Sequence, residues 1–136
     1  MSEKVLGLLG LALRGGNLAV GEAPVEEACA THRAKVVLHA ADAAENSVSR
    51  AGRLAQRSGV ELVSLPCTKQ ELGYALGRNS CAVLALTDGG LAAAVVSRLA
   101  QARPELEPLA QTLAQGAAKG GKATKNVGRR RTPRNV

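Results

Sequence analysis

With no Trp, no Phe and a single tyrosine, Tyr74, in 136 residues, this chain must build its core from small aliphatic side chains. The hydrophobic content of 46% is carried by Ala, Leu and Val. A chain of this length buries enough of that surface to fold as one domain without metal or disulfide staples. The same shortage bears on function. Single-strand RNA readers stack bases on exposed aromatic rings, and this sequence has almost none. Contact with a nucleic acid would rest instead on backbone N–H groups, helix ends, arginine planes and phosphate electrostatics.

Apolar runs and helical periods alternate along the chain. Residues 3 to 13 place Val5, Leu6, Leu9 and Leu13 on one helical face, with Gly7 and Gly10 read as points of close approach for a neighbour. Arg14-Gly15-Gly16-Asn17 stops that helix, Leu18 to Val20 forms a short strand, and a second helix runs from Gly21 to about His32. Pro24 sits in its first turn, where a missing N–H is tolerated. Lys35 to Ala40 reads as a buried strand, and a third helix covers about Ala43 to Arg57 with Val48, Ala51, Leu54 and Ala55 inward. Val60 to Leu65 alternates as a strand ended by Pro66. Thr68-Lys69-Gln70-Glu71 has capping-box spacing and opens a short helix to about Gly77. Ala82 to Thr87 is a further strand, and Leu91, Val95 and Leu99 line a last helix. Helices alternating with strands imply a parallel or mixed sheet between helical layers.

Charge divides the chain at about Arg103. Residues 1–103 hold 11 basic against nine acidic residues, whereas residues 104–136 hold seven against two. The first part reads as the domain. The second reads as a basic, mostly disordered tail, with one marginal helical stretch over Leu106, Leu109 and Leu113 and disorder expected from Gly116 onward. Its polycationic end, including Arg129, Arg130 and Arg131, suits generic binding to RNA by counterion release. The apolar run Val5 to Leu13 follows Glu3, lacks a cleavage site and is too short to span a bilayer. It is read as a core helix, with no membrane partner.

The chemistry-bearing residues assemble into no catalytic constellation. Gly15, Gly16 and Gly21 follow a helix rather than a strand, which does not fit a dinucleotide fingerprint, and no Walker lysine is present. His32 and His39 lie at no metal-ligand spacing, and Cys29, Cys67 and Cys81 form no C-x-x-C pair, so no metal or cofactor is expected. Three cysteines also fit reduced thiols in a cytosol better than a disulfide framework. Asp42 at a strand end reads as a helix cap. Arg50, Arg53 and Arg57, at spacings of three and four without interleaved acids, form a stripe of the kind that contacts phosphates.

A set of ordered segments resembles a known family. Leu8-Leu9-Gly10-Leu11-Ala12, Gly21-Glu22, Ala34-Lys35-Val36-Val37-Leu38 and Ala41-Asp42-Ala43-Ala44-Glu45-Asn46 come first. Then follow Thr68-Lys69-Gln70-Glu71-Leu72-Gly73, Ala75-Leu76-Gly77 and Val83-Leu84-Ala85-Leu86-Thr87-Asp88. Together, over about residues 5 to 100, they resemble the bacterial YlxQ-like branch of the ribosomal L-seven-Ae, L-thirty-e and Gadd superfamily. The E-L-G-x-A-L-G segment is the most specific of them.

The resemblance implies a three-layer α/β/α sandwich around a mixed sheet of about four strands. It also implies a non-catalytic, cytoplasmic protein of translation that binds structured RNA, ribosomal RNA foremost, with ribosomal proteins as further partners. Many relatives dock the start of the second helix on a kink-turn. Carried over by position, that surface is Gly21, Glu22, Ala23 and Glu27, then Asp42 and Ala43, then Arg78, Asn79, Ser80 and Cys81. The family pattern at the helix is G-x-N-E-x-x-K, and here Ala23, Pro24 and Glu27 replace the Asn, Glu and Lys. That removes a base-reading side chain and a cation, and Glu22, Glu26 and Glu27 are expected to repel phosphate. The alternatives are a protein-interaction platform that has lost kink-turn recognition, or the substrate-recognition domain of an RNA-modifying system.

Overall fold

A computed structural model describes residues 2–123. The elements run α1 (Ser2–Arg14), β1 (Leu18–Val20), α2 (Glu22–Ala30), β2 (Val36–His39), α3 (Glu45–Ser58), β3 (Leu62–Ser64), α4 (Lys69–Leu76), β4 (Val83–Leu86) and α5 (Gly89–Ala102). A single 3₁₀ turn, Pro104–Leu106, then leads into α6 (Glu107–Ala123). The strand order is β1-β4-β2-β3. β4 runs antiparallel to both β1 and β2, while β2 and β3 are parallel, so the sheet is mixed.

Of the two central strands, β4 is apolar at every position and β2 at all but its last, His39, because both faces of the sheet are covered. Alternation along each strand then sends side chains to two separate cores. Val36, Leu38, Leu84 and Leu86 join Val5, Leu9, Leu72, Val95 and Leu99 beneath α1, α4 and α5. Val37, Val83 and Ala85 join Val25, Ala28, Ala51 and Ala55 beneath α2 and α3. The result is the three-layer α/β/α sandwich. The α2–α3 core is packed largely with alanine and valine.

Three sequence expectations change. Gly7 and Gly10 are not approach points: a Cβ on Gly7 would meet nothing within 4 Å, and one on Gly10 only the end of Arg14 at 3.6 Å. The close approach is at Gly73 instead. The packed region also continues past Arg103, with Ala110 buried in the main core and Leu106, Leu109 and Leu113 lying against it. The Arg103 guanidinium donates to the Ser64 carbonyl, fixing the turn that starts this return. Finally, α6 reaches Ala123, so the helix extends through the Gly116 region where disorder was expected. The leucines at a helical spacing found an apolar partner in α5, which local propensity does not report.

Candidate functional site

The three segments carried over from the resemblance meet at one end of the sheet. Val20, the last residue of β1, lies opposite Leu84, and His39, the last of β2, lies opposite Val83 at the start of β4. The chain therefore leaves β1 and β2 and enters β4 at the same edge. Gly21 follows the first strand, Asp42 and Ala43 follow the second, and Arg78 to Cys81 precede the fourth. Backbone bonds tie them together: Gly21 N–H donates to the Val83 carbonyl at 3.0 Å and Ala40 N–H to that of Ala82 at 2.8 Å.

Gly21 caps α2 at φ 99° and ψ 166°, a backbone region that side chains other than glycine's rarely occupy. It provides no side-chain cap. Val25 N–H already donates to the Gly21 carbonyl, and Pro24 has no N–H. Among the described residues, the free donors at the start of α2 are thus the amides of Glu22 and Ala23.

Helical periodicity divides the residues of α2 between two faces. Ala23 and Glu27, one turn apart, share one exposed face. Glu22 and Glu26 share another and line the cleft facing α3. The expected acidic cluster is therefore not one patch. Glu22 is also neutralised, since Arg50 Nε and Nη2 donate to its two carboxylate oxygens at 3.0 Å each and Ser47 Oγ donates at 3.0 Å. These bonds, Arg50's above all, hold the Glu22 carboxyl below its ordinary range. In the arginine stripe of α3, Arg50 alone pairs with an acid among the described residues, and that acid comes from α2 across the cleft.

Asp42 is a cap, but for a distant helix. Its Oδ1 accepts from Lys69 N–H at 2.7 Å, whereas α3 has Ala44 at its N-cap position and no side-chain cap. Beside it the capping box is formed as expected, with Glu71 N–H donating to Thr68 Oγ1 at 3.1 Å and Thr68 N–H to Glu71 Oε1 at 2.9 Å. Asp42 so pins the β2–α3 loop to the start of α4. Replacing Asp42 with Ala is expected to lower stability by about 1 kcal/mol, the usual effect of losing a charged cap. Chemical denaturation checks this; an unchanged unfolding midpoint would refute it.

The α4–β4 loop is built around glycine. A Cβ on Gly73 would lie 2.6 Å from Ser80 Cα, 2.7 Å from Ser80 N and 2.8 Å from the Asn79 carbonyl carbon. The loop folds directly over α4, with Arg78 N–H donating to the Gly73 carbonyl at 2.7 Å and Cys81 N–H to that of Lys69 at 3.0 Å. Arg78, Asn79 and Ser80 are exposed on its outer side.

Cys81 is different from its neighbours. It is buried, and its thiol donates to the Val83 carbonyl at 3.4 Å. Burial pushes this thiol up to about 11, outweighing the Arg78 charge and hydrogen bonding to the Gly21 and Val83 backbone. Its side chain is thus a packing contact between the Gly21 turn and the loop, unsuited to touching a ligand. Ala43 is half-buried, with its methyl against the main core. The outward-facing members of the expected surface are Glu22, Ala23, Glu27, Asp42, Arg78, Asn79 and Ser80. Arg129, Arg130 and Arg131 lie outside the described residues.

Among the described residues, no helix is long and apolar enough to cross a membrane, and no group of three or more His, Cys, Asp or Glu is placed to hold a metal. No protein-family profile matches the chain, and no curated protein matches it. Solved structures do. A protein of unknown function from Bacillus halodurans C is similar at 26% identity, with a TM-score of 0.64, covering 69% of this chain and 94% of that one. The Giardia lamblia 15.5kD RNA binding protein is similar at 20% identity, with a TM-score of 0.57, covering 71% of this chain and 85% of that one. This α/β sandwich is therefore a fold that also occurs in an RNA-binding protein.

Proposed function

We propose that this chain is a non-catalytic RNA-binding protein of the YlxQ-like branch of the L-seven-Ae superfamily, acting in the cytoplasm on structured RNA of the ribosome, with ribosomal proteins as neighbours. The observation that carries the reading is the convergence of the α2 start, the β2–α3 loop and the α4–β4 loop at one end of a fold shared with an RNA-binding protein. The free amides of Glu22 and Ala23 offer donors to phosphate or base acceptors. Arg78, Asn79 and Ser80 add a cation, an amide and a hydroxyl beside them. The basic tail adds affinity without sequence choice.

Ala23 and Glu27 set how selective this surface is. They occupy the positions where the family carries its Asn and Lys, so the contact favours RNA shape over the bases of a kink-turn. A mobility-shift assay with a kink-turn hairpin and a straight duplex hairpin tests the proposal. Binding to both, weakening with salt, is the expected result, and no salt-dependent binding to either would refute it. The double change Ala23→Asn and Glu27→Lys is expected to raise affinity for the kink-turn hairpin about tenfold, equivalent to about 1.4 kcal/mol. Equal gains on the straight hairpin would show that charge alone was restored.

A further inference from the structure

We infer that the arginine row of α3 is a second RNA contact, a track that grips the phosphodiester backbone as it leaves the loop end of the sheet. This rests on the reading of the chain as an RNA binder and extends that surface along its flank. Arg50, Arg53 and Arg57 border a cleft of about 190 Å³ between α2 and α3. All three are exposed. Among the described residues, Arg50 pairs with Glu22, whereas Arg53 and Arg57 have neither a hydrogen bond nor an ion pair.

The row begins where the proposed interface ends. Arg50 lies 3.0 Å from Glu22, the first residue of α2, and Arg53 and Arg57 continue away from the loops. From Arg50 to Arg57 the helix rises about 10 Å, the axial length over which one nucleic-acid strand presents roughly three phosphates. Guanidinium forks bind phosphate with two parallel hydrogen bonds. Glu22 shows that geometry already, since its carboxylate takes both Arg50 donors as a phosphate would. Glu26 is the one other acid in the cleft, so two arginines remain against one carboxylate once the Glu22 pair is set aside. An RNA strand fits this row better than an acidic peptide because the row is continuous with the RNA-facing loops.

The test is the salt dependence of binding of the full chain to the straight duplex hairpin. Replacing Arg53 and Arg57 together with Ala is expected to weaken binding and to flatten the slope of log affinity against log salt by roughly 1.4 to 1.8, two phosphate contacts. Lysine at both positions is expected to keep most of the slope. Glu22→Gln frees Arg50 and is expected to steepen the slope by roughly 0.7 to 0.9, one further contact. If the wild-type chain binds with a salt-dependent affinity and the double Ala variant, folded by circular dichroism, keeps the wild-type slope, the track is overturned while the RNA reading stands. If the wild-type chain shows no salt-dependent binding, the RNA reading itself fails. A slope that fails to steepen with Glu22→Gln would remove Arg50 from the track.

Discussion

Gly73→Ala is expected to lower stability by about 3 kcal/mol, the upper part of the range for overpacking a filled site, and to lower the melting temperature on the order of 10 °C. The added methyl would fall within 2.8 Å of three backbone atoms of Asn79 and Ser80. Backbone does not rotate aside as the end of a side chain does. The loop must lift, and the bonds from Arg78 to Gly73 and from Cys81 to Lys69 go with it. Because Arg78, Asn79 and Ser80 belong to the proposed interface, RNA affinity should fall in the variants that still fold. Gly7→Ala is the matched control. Its Cβ would enter open space on an exposed helix face, so that change should raise stability by up to ~1 kcal/mol. Thermal melts showing the same sign for both would contradict the packing argument.

The second large effect is a loss of stability in alkali. Burial pushes the Cys81 thiol up to about 11 in the folded chain, from the 9.0 of an unburied thiol. Between those values the unfolded chain releases a proton that the folded chain keeps, so stability declines as pH rises. The decline begins near pH 9 and ends near pH 11, and with solvent screening of the thiolate it amounts to on the order of 1 to 2 kcal/mol. Below pH 9 the residue contributes no pH dependence. Other groups also titrate in this window, so the readout is the difference between the wild-type chain and Cys81→Ala in urea unfolding across pH. Parallel profiles would rule the effect out. The same burial should leave Cys81 slow to react with iodoacetamide at neutral pH.

Much of the architecture is legible in the sequence because its signals are local. Val36-Val37-Leu38 and Val83 to Leu86 are apolar throughout because both sheet faces are covered, and the Thr68 to Glu71 spacing forms the capping box it suggests. What sequence patterns miss is long-range. Asp42 reads as a cap, but no local rule points it at an amide 27 residues away. Arg50 reads as part of a bare cationic stripe, yet its partner lies 28 residues back on another helix. The same limit applies to Gly73, which helical periodicity does not separate from Gly7 or Gly10; only the loop that returns over α4 makes it indispensable. The packing beyond Arg103 is hard to read for the converse reason: Leu106, Leu109 and Leu113 form a weak helix alone and a good one against the core.

The strand order has a further consequence, for self-association. The two outer positions of the sheet belong to β1 and β3, each only three residues long, with the four-residue strands kept inside. An outer strand that short presents too few unpaired amides and carbonyls to template another chain. Were the chain to bind RNA as proposed, its copies would be concentrated side by side along the polyanion. Stubby margins let it crowd in that way without zipping into cross-strand aggregates.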